Sequence, residues 1–264
     1  MSTPGAVLAL DAKVAQATGL SATIHRWTVR CPDSLLVLRD HSPHDLIIVA
    51  QFLRSRKFAR ALDLGCGGGR LSPLLTACAT QTVLLDNNPT VLESACELAG
   101  DTASAVCARF EALPFASATF DLVASRLALH ESSSHDSALG EIRRILRRKG
   151  TLLVVDVVPP IRSESAQIFD ALENALNPAY VRPPGQRKWK SLLRKHGFEI
   201  ERSATVRVRR ELADRPFGEE QRELCNKLIQ LFPDRARATL GVCQIGDRLE
   251  WADRRLVVIA RSTR

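Results

Sequence analysis

The segment Ala61-Leu62-Asp63-Leu64-Gly65-Cys66-Gly67-Gly68-Gly69-Arg70 constrains the chain more than any other part of it. A short apolar run reads as a strand, four glycines follow within five residues, and a helix opens after them. Glycine turns the backbone tightly and lets it approach a ligand with no Cβ in the way. The N-terminus of the following helix favours groups that accept from backbone N–H. A dinucleotide fingerprint asks for glycine at the sixth position of such a loop. Counted from Gly65 that position is Arg70, and counted from Gly67 it is Ser72, so a pyrophosphate fits poorly. Asp63, two residues before the first glycine, instead offers a carboxylate to a ligand ammonium group, directly or through water. A glycine loop also serves as a plain strand-to-helix turn, so its surroundings decide its meaning.

Those surroundings alternate. Ala61–Leu64, Thr82–Leu85, Ala103–Ala108, Phe120–Ser125 and Thr151–Val158 are short apolar runs without alternation, the pattern of parallel strands buried on both faces. Between them, Pro89 to Leu98 and Asp136 to Arg147 carry apolar residues at helical spacing. Pro89 suits a first helical turn and Gly100 a stop; Ser134 suits a cap and Gly150 follows the second helix. Arg143, Arg144, Arg147 and Arg148 fall on that helix's C-terminus, where cations complement the macrodipole. Further on come helices at Ala166–Leu176, Trp189–His196 and Glu219–Phe232, and strands at Ile200–Arg209 and Arg255–Ala260. The expectation is an α/β, Rossmann-like, doubly wound and mostly parallel seven-stranded sheet with helices on both faces. Residues 1–58 are expected as an N-terminal helical extension and 59–264 as the Rossmann-like domain, with 161–187, which ends in a Pro/Gly-rich stretch, as a lid insertion.

Asp86 ends the strand after the glycine loop. A carboxylate there can accept from both ribose hydroxyls of an adenosine, or it can cap the helix that begins at Pro89. The loop and Asp86 in this strand order are more specific together than either alone. With Glu111-Ala112-Leu113-Pro114-Phe115, then Phe120-Asp121-Leu122-Val123, then a helix into Lys149-Gly150, the chain resembles the class I S-adenosylmethionine-dependent methyltransferases. It is most similar to the UbiE-like group, methyltransferase domain 11, over residues 44–160, and more loosely through Trp189 and Gly197-Phe198. The resemblance implies S-adenosylmethionine as cofactor. Asp63, Gly65, Cys66 and Gly67 would hold its methionine part and Asp86 the ribose, with Asn87 beside the adenine. Arg109, Phe110 and Glu111 would line the adenine edge, and Ser125 and Arg126 would sit near the reacting methyl. His130 follows on a loop where relatives face the acceptor. Two departures stand out. Arg109 occupies the neighbourhood where relatives carry an adenine-binding Asp, and it has no acceptor atom. Lys149 stands where relatives commonly carry Pro before the glycine, which reads as a neutral turn variation.

Methyl transfer needs a base only when the acceptor must lose a proton. His130 is the first candidate catalytic residue; His41 and His44 come next, and each also reads as a structural histidine. The net charge of +8 admits an anionic partner. Yet no aromatic residues interleave with the arginines, and Ser125-Arg126-Leu127-Ala128 stands where nucleic-acid methyltransferases often carry N/D-P-P-Y/F. A small-molecule acceptor is therefore expected. Transfer to RNA or protein, and a non-catalytic binding protein on the same fold, are the alternatives. Seven cysteines, an odd number without a C-x-x-C pair, argue against a zinc or disulfide framework, and no metal is expected. No apolar run reaches the length of a membrane helix and no leader is evident, which suggests a cytoplasmic protein. Oligomeric state leaves no mark in the sequence.

Overall fold

The computed structural model describes residues 44–101, 103–161, 163–177, 180–211, 219–245 and 248–263. The expected N-terminal extension lies outside these residues, His41 included, except for its end. That end is helix α1 (His44–Leu53). It leads into β1 (Phe58–Leu64), α2 (Ser72–Cys78) and β2 (Ala79–Asp86). Next come α3 (Pro89–Ala99), β3 (Ala103–Cys107), β4 (Phe120–Arg126) and a single 3₁₀ turn, Leu129–Glu131. Then follow α4 (His135–Ile145), β5 (Leu146–Val157), α5 (Ser163–Leu176) and α6 (Gln186–Lys195). Strand β6 (Phe198–Glu211), α7 (Glu219–Leu231), α8 (Asp234–Leu240), β7 (Cys243–Ile245) and β8 (Arg248–Ser262) complete the order.

The sheet runs β3-β2-β1-β4-β5-β8-β6, and β7 pairs with β8 as an eighth strand beyond the expected seven. The first five strands are parallel; β8 is antiparallel to β5 and β6. Apolar side chains cover both faces. Ala61, Leu122, Leu153 and Val257 meet α1 and α2 through Val49 and Leu75. Leu62, Val123, Leu152 and Val258 meet α4 and α6 through Ile142 and Trp189. Asp121 ties the start of this frame: its Oδ2 accepts from Ala59 and Arg60 N–H at 2.9 Å each, and Arg147 Nη1 lies 2.8 Å from its Oδ1.

Two local expectations change. α4 ends at Ile145, so Arg147 and Arg148 belong to β5 rather than to a helix terminus. Leu146 already has extended backbone, and the Asp121 contact draws Arg147 toward β4. In the turn that follows, Lys149 has φ 59°, which the ring of proline cannot adopt. A proline in place of Lys149 would therefore not fit the backbone of this turn. The stretch expected as a lid, 161–187, is anchored by α5. Phe169 and Leu172 of α5 share a small core with Cys225, Ile229 and Phe232 of the α7 segment, Leu240, and Leu249 and Trp251 of β8.

Candidate active site

The glycine loop folds back over the end of β2. Gly65 and Cys66 N–H donate to the Leu85 carbonyl at 2.7 and 3.0 Å, and Gly67 N–H donates to Asp86 Oδ2 at 2.9 Å. Gly65 has φ 70°, and a Cβ there would lie 2.4 Å from Ala128 Cβ and 2.9 Å from the Phe110 ring. Gly69, at φ 77°, would drive a Cβ to 2.8 Å from the α3 backbone at Ala95. Gly67 and Gly68 differ: a Cβ at either meets nothing within 4 Å. The loop is thus packed tightly at its two ends and open at its middle. Burial raises the Cys66 thiol far above its ordinary range, with Asp63 and Asp86 adding to it, so the group stays a thiol at neutral pH.

Asp63 is buried at the end of β1 with 1% exposure. Ser72 Oγ donates to its Oδ2 at 2.6 Å, and its Oδ1 has no hydrogen-bond partner among the described residues. Burial pushes its carboxyl up to about 7, against the hydrogen bond from Ser72 and the charge of Arg126. A buried acceptor atom without a donor is costly unless a ligand supplies one. Asp86 is not the helix cap. Asn88 caps α3, its side chain accepting from Thr90 N–H at 3.0 Å, while Asp86 Oδ1 accepts from Asn88 N–H at 3.0 Å. Each carboxylate oxygen of Asp86 retains a lone pair for a further donor. Asn87 is exposed beside it.

The segment between β3 and β4 is held from α4. Glu141 Oε2 accepts from Leu113 N–H at 2.8 Å, and Arg144 donates to the carbonyls of Leu113 and Phe115 at 2.9 and 2.5 Å. Phe110 is half-buried against Gly65, whereas the Arg109 side chain is 71% exposed, its Nε 3.7 Å from Glu111 Oε2. Glu111 Oε1 is occupied by Ser132 Oγ, Ser133 N–H and Ser133 Oγ at 2.7, 3.0 and 2.9 Å. Burial opposes ionisation of Glu111, but these hydrogen bonds prevail and hold its carboxyl at about 2. Glu111 thus fixes the serine loop that follows the 3₁₀ turn.

That turn presents His130. Its backbone N–H donates to Asp156 Oδ2 at 2.9 Å, and its Nδ1 lies 2.6 Å from Asp156 Oδ1. Asp156 is fully buried near the end of β5. This pairing places the proton on Nδ1 and leaves Nε2 to act outward, 4.0 Å from Glu131 Oε1. Burial works against a charged ring, yet Asp156, with smaller help from Glu131 and Glu173, raises the imidazole to about 9. Burial also raises the Glu131 carboxyl, against His130.

Arg126, expected near the reacting methyl, is instead turned into the protein. Its guanidinium lies 2.9 Å from Asp45 of α1, which Arg255 reaches at 3.0 Å. The row of buried charges continues from Arg255 to Asp253, Arg210 and Glu173. Arg126 still sits close enough to Asp63 to favour its ionised form. Ser125, on the opposite face of β4, is buried and its Oγ has no partner among the described residues. The candidate residues therefore divide. Asp63, Gly65, Cys66, Gly67, Asp86 and Phe110 gather around the loop, and His130 stands beyond the end of β4. Arg109 faces solvent, and Glu111 and Arg126 are engaged within the protein. Asp156, Ser72, Asp45, Glu141 and Arg144 were not expected. Of these, Asp156 leaves a trace in the sequence, as the one carboxylate closing the apolar run Leu152–Val155.

Comparison with known proteins places this geometry. Residues 62–154 match the family described as a methyltransferase domain. The chain is similar to the malonyl-[acyl-carrier protein] O-methyltransferase of Enterobacter lignolyticus, 39% identical over 115 residues, 42% of this chain and 45% of the relative. It is also similar to the uncharacterised methyltransferase YcgJ of Bacillus subtilis, 26% identical over 153 residues, 56% of this chain and 60% of that one. The chain thus spans about half the length of the curated relatives it matches. Among solved structures, a candidate methyltransferase from Bacillus halodurans superposes with a TM-score of 0.76 at 20% identity, over 84% of this chain and all of that one. The YcgJ structure superposes with a TM-score of 0.73 at 18% identity, over 84% and 99%. No helix among the described residues is long and apolar enough to cross a membrane. With its strand order, its open glycine loop and the family match over residues 62–154, the α/β unit is similar to the class I methyltransferase domains.

Proposed function

We propose that the protein transfers a methyl group from S-adenosylmethionine to a hydroxyl or amine of a small-molecule acceptor, with His130 as the base. The observation that carries this reading is the His130–Asp156 pair, bonded at both ring and backbone. The cofactor supplies a methyl group already activated on a sulfonium, so the chain's work is to bind, align and accept a proton. The unpartnered Oδ1 of Asp63 suits the ammonium of the methionine part. Asp86 suits the ribose hydroxyls, and the open middle of the loop at Gly67 and Gly68 leaves room above the backbone. Phe110, packed against Gly65, would line the adenine side. Asp156 fixes the His130 tautomer, so that Nε2 can take a proton from the acceptor. The named activity of several curated relatives is O-methylation of a malonyl-[acyl-carrier protein], which supports an oxygen acceptor; a malonyl carboxyl is already ionised at neutral pH and needs no base. Residues 161–187, through α5 and the stretch after it, would close over that acceptor.

One observation favours a second reading. A ring raised to about 9 is an imidazolium at neutral pH, which would hold a carboxylate acceptor that needs no base. The pH profile separates the two. For a hydroxyl acceptor, turnover rises with pH through about 9 and levels off above it, as the neutral ring becomes populated. For a carboxylate acceptor, it falls over the same range. A screen of phenols, quinols, amines and hydroxy acids with methyl-labelled cofactor supplies the acceptor. His130→Ala should then lower turnover by roughly 10²-fold or more, with cofactor affinity kept. Wild-type turnover and an unchanged profile in that variant would remove His130 from the reaction.

A further inference from the structure

The sheet face that carries Asp156 continues across β8 and β6. Asp156 pairs with Leu256, Leu256 with Thr205, and Arg254 with Arg207. Arg254 lies two residues from Leu256 and so projects from the same face; its carbonyl accepts from Val158 N–H at 2.9 Å. α6 covers this face as far as Ser203 and Thr205, where Lys190 Nζ reaches Ser203 Oγ at 2.8 Å and Gln186 reaches Thr205 at 3.4 Å. α8 approaches from the other side, its Thr239 carbonyl accepting from Arg207 at 3.5 Å. Beyond α6 on this face lie Arg207, Arg209 and Arg254. Arg209 has Glu250 at 3.1 Å, whereas among the described residues neither Arg207 nor Arg254 has a carboxylate partner. Like charges directly opposite across a ladder destabilise it. Burial, and Arg207 after it, lower the Arg254 guanidinium from its ordinary value. An anion accepting from both planar guanidinium forks would relieve the pair.

We propose that Arg207 and Arg254 form an anion subsite for a phosphate or carboxylate that the acceptor carries at the end remote from the methylated atom. Arg254 is about 8 Å from Asp156 by strand spacing, within the length of a small molecule. The link to the acceptor rests on the proposed cleft at His130; the anion subsite itself does not.

Two measurements test it. In the first, inorganic pyrophosphate is titrated into the cofactor-free protein and the arginine Nε–H resonances are followed. Saturable shifts at Arg207 and Arg254 are expected, with affinity at least tenfold weaker in R207Q/R254Q of wild-type circular dichroism. Absence of binding, or equal binding in both proteins, overturns the subsite. In the second, matched phenols with and without a remote phosphate or carboxylate are compared. R254Q should raise the KM of either charged acceptor about tenfold with kcat unchanged, and leave the uncharged one alone. A rise confined to one anion identifies the group carried; equal shifts for charged and uncharged acceptors overturn the link. Transfer to no acceptor overturns the proposed function and the link with it, while the pyrophosphate titration still decides the subsite.

Discussion

Asp63 makes the stability of the folded protein depend on pH through a single buried side chain. Its carboxyl titrates near 7 in the folded protein and near 4 in an unfolded chain. Between those pH values the folded state keeps a proton that the unfolded chain has lost, so the stability of the cofactor-free protein falls as pH rises from about 4 to about 7. Asp63→Asn keeps the shape and removes the charge. It should abolish that slope and raise stability at pH 8 by a few kcal/mol. The same change should weaken S-adenosylhomocysteine by tenfold or more, because the ammonium loses its carboxylate. Thermal melts across pH, set beside calorimetry, check both. A variant with the wild-type slope and affinity would show that Oδ1 faces no ligand.

The elements around Asp63 were legible because their signals are local. Parallel strands buried on both faces leave unbroken apolar runs, as at Thr151–Val158, and caps such as Ser134 mark their own helix. α8 and β7 were missed because seven and three residues are too short to show a period. The end of α4 was misplaced because Asp121, distant in sequence, draws Arg147 into β5. Partners of this kind explain the missed site residues too. Nothing near Glu111 in the chain says that Ser132 and Ser133 will occupy it, and nothing near Arg126 announces Asp45. The turn at Lys149 gives an element-scale expectation. A non-glycine residue in the left-handed region costs about 1–2 kcal/mol, so Lys149→Gly should stabilise by up to about 1 kcal/mol after the extra entropy of the unfolded chain. Lys149→Pro should destabilise by about 3 kcal/mol or more. Urea midpoints decide it, and a neutral Lys149→Pro would contradict the φ of 59°.

Across the whole molecule, buried charges join parts that lie far apart in the chain. Asp45 of α1 meets Arg126 and Arg255 with no exposure of its own, and the row reaches α5 through Arg210 and Glu173. Burial opposes its charge, but Arg126 and Arg255 hold its carboxyl below the ordinary range. Its contribution is therefore present above about pH 4 and lost as pH falls through the lowered value. Asp45→Ala leaves two buried guanidinium groups short of a partner and should cost about 3–5 kcal/mol at pH 7, read from the urea midpoint. A loss under 1 kcal/mol would mean that water replaces the carboxylate. In the proposed function the open glycine loop, Asp63 and Asp86 together cradle an adenosyl amino acid. Calorimetry of S-adenosylhomocysteine and NAD against wild type and Asp86→Ala at pH 8 decides this. Wild type should bind S-adenosylhomocysteine and not NAD, and the folded variant should lose about 1.5–3 kcal/mol of that affinity. Tight NAD binding without S-adenosylhomocysteine binding, or equal affinity in wild type and Asp86→Ala, would contradict it.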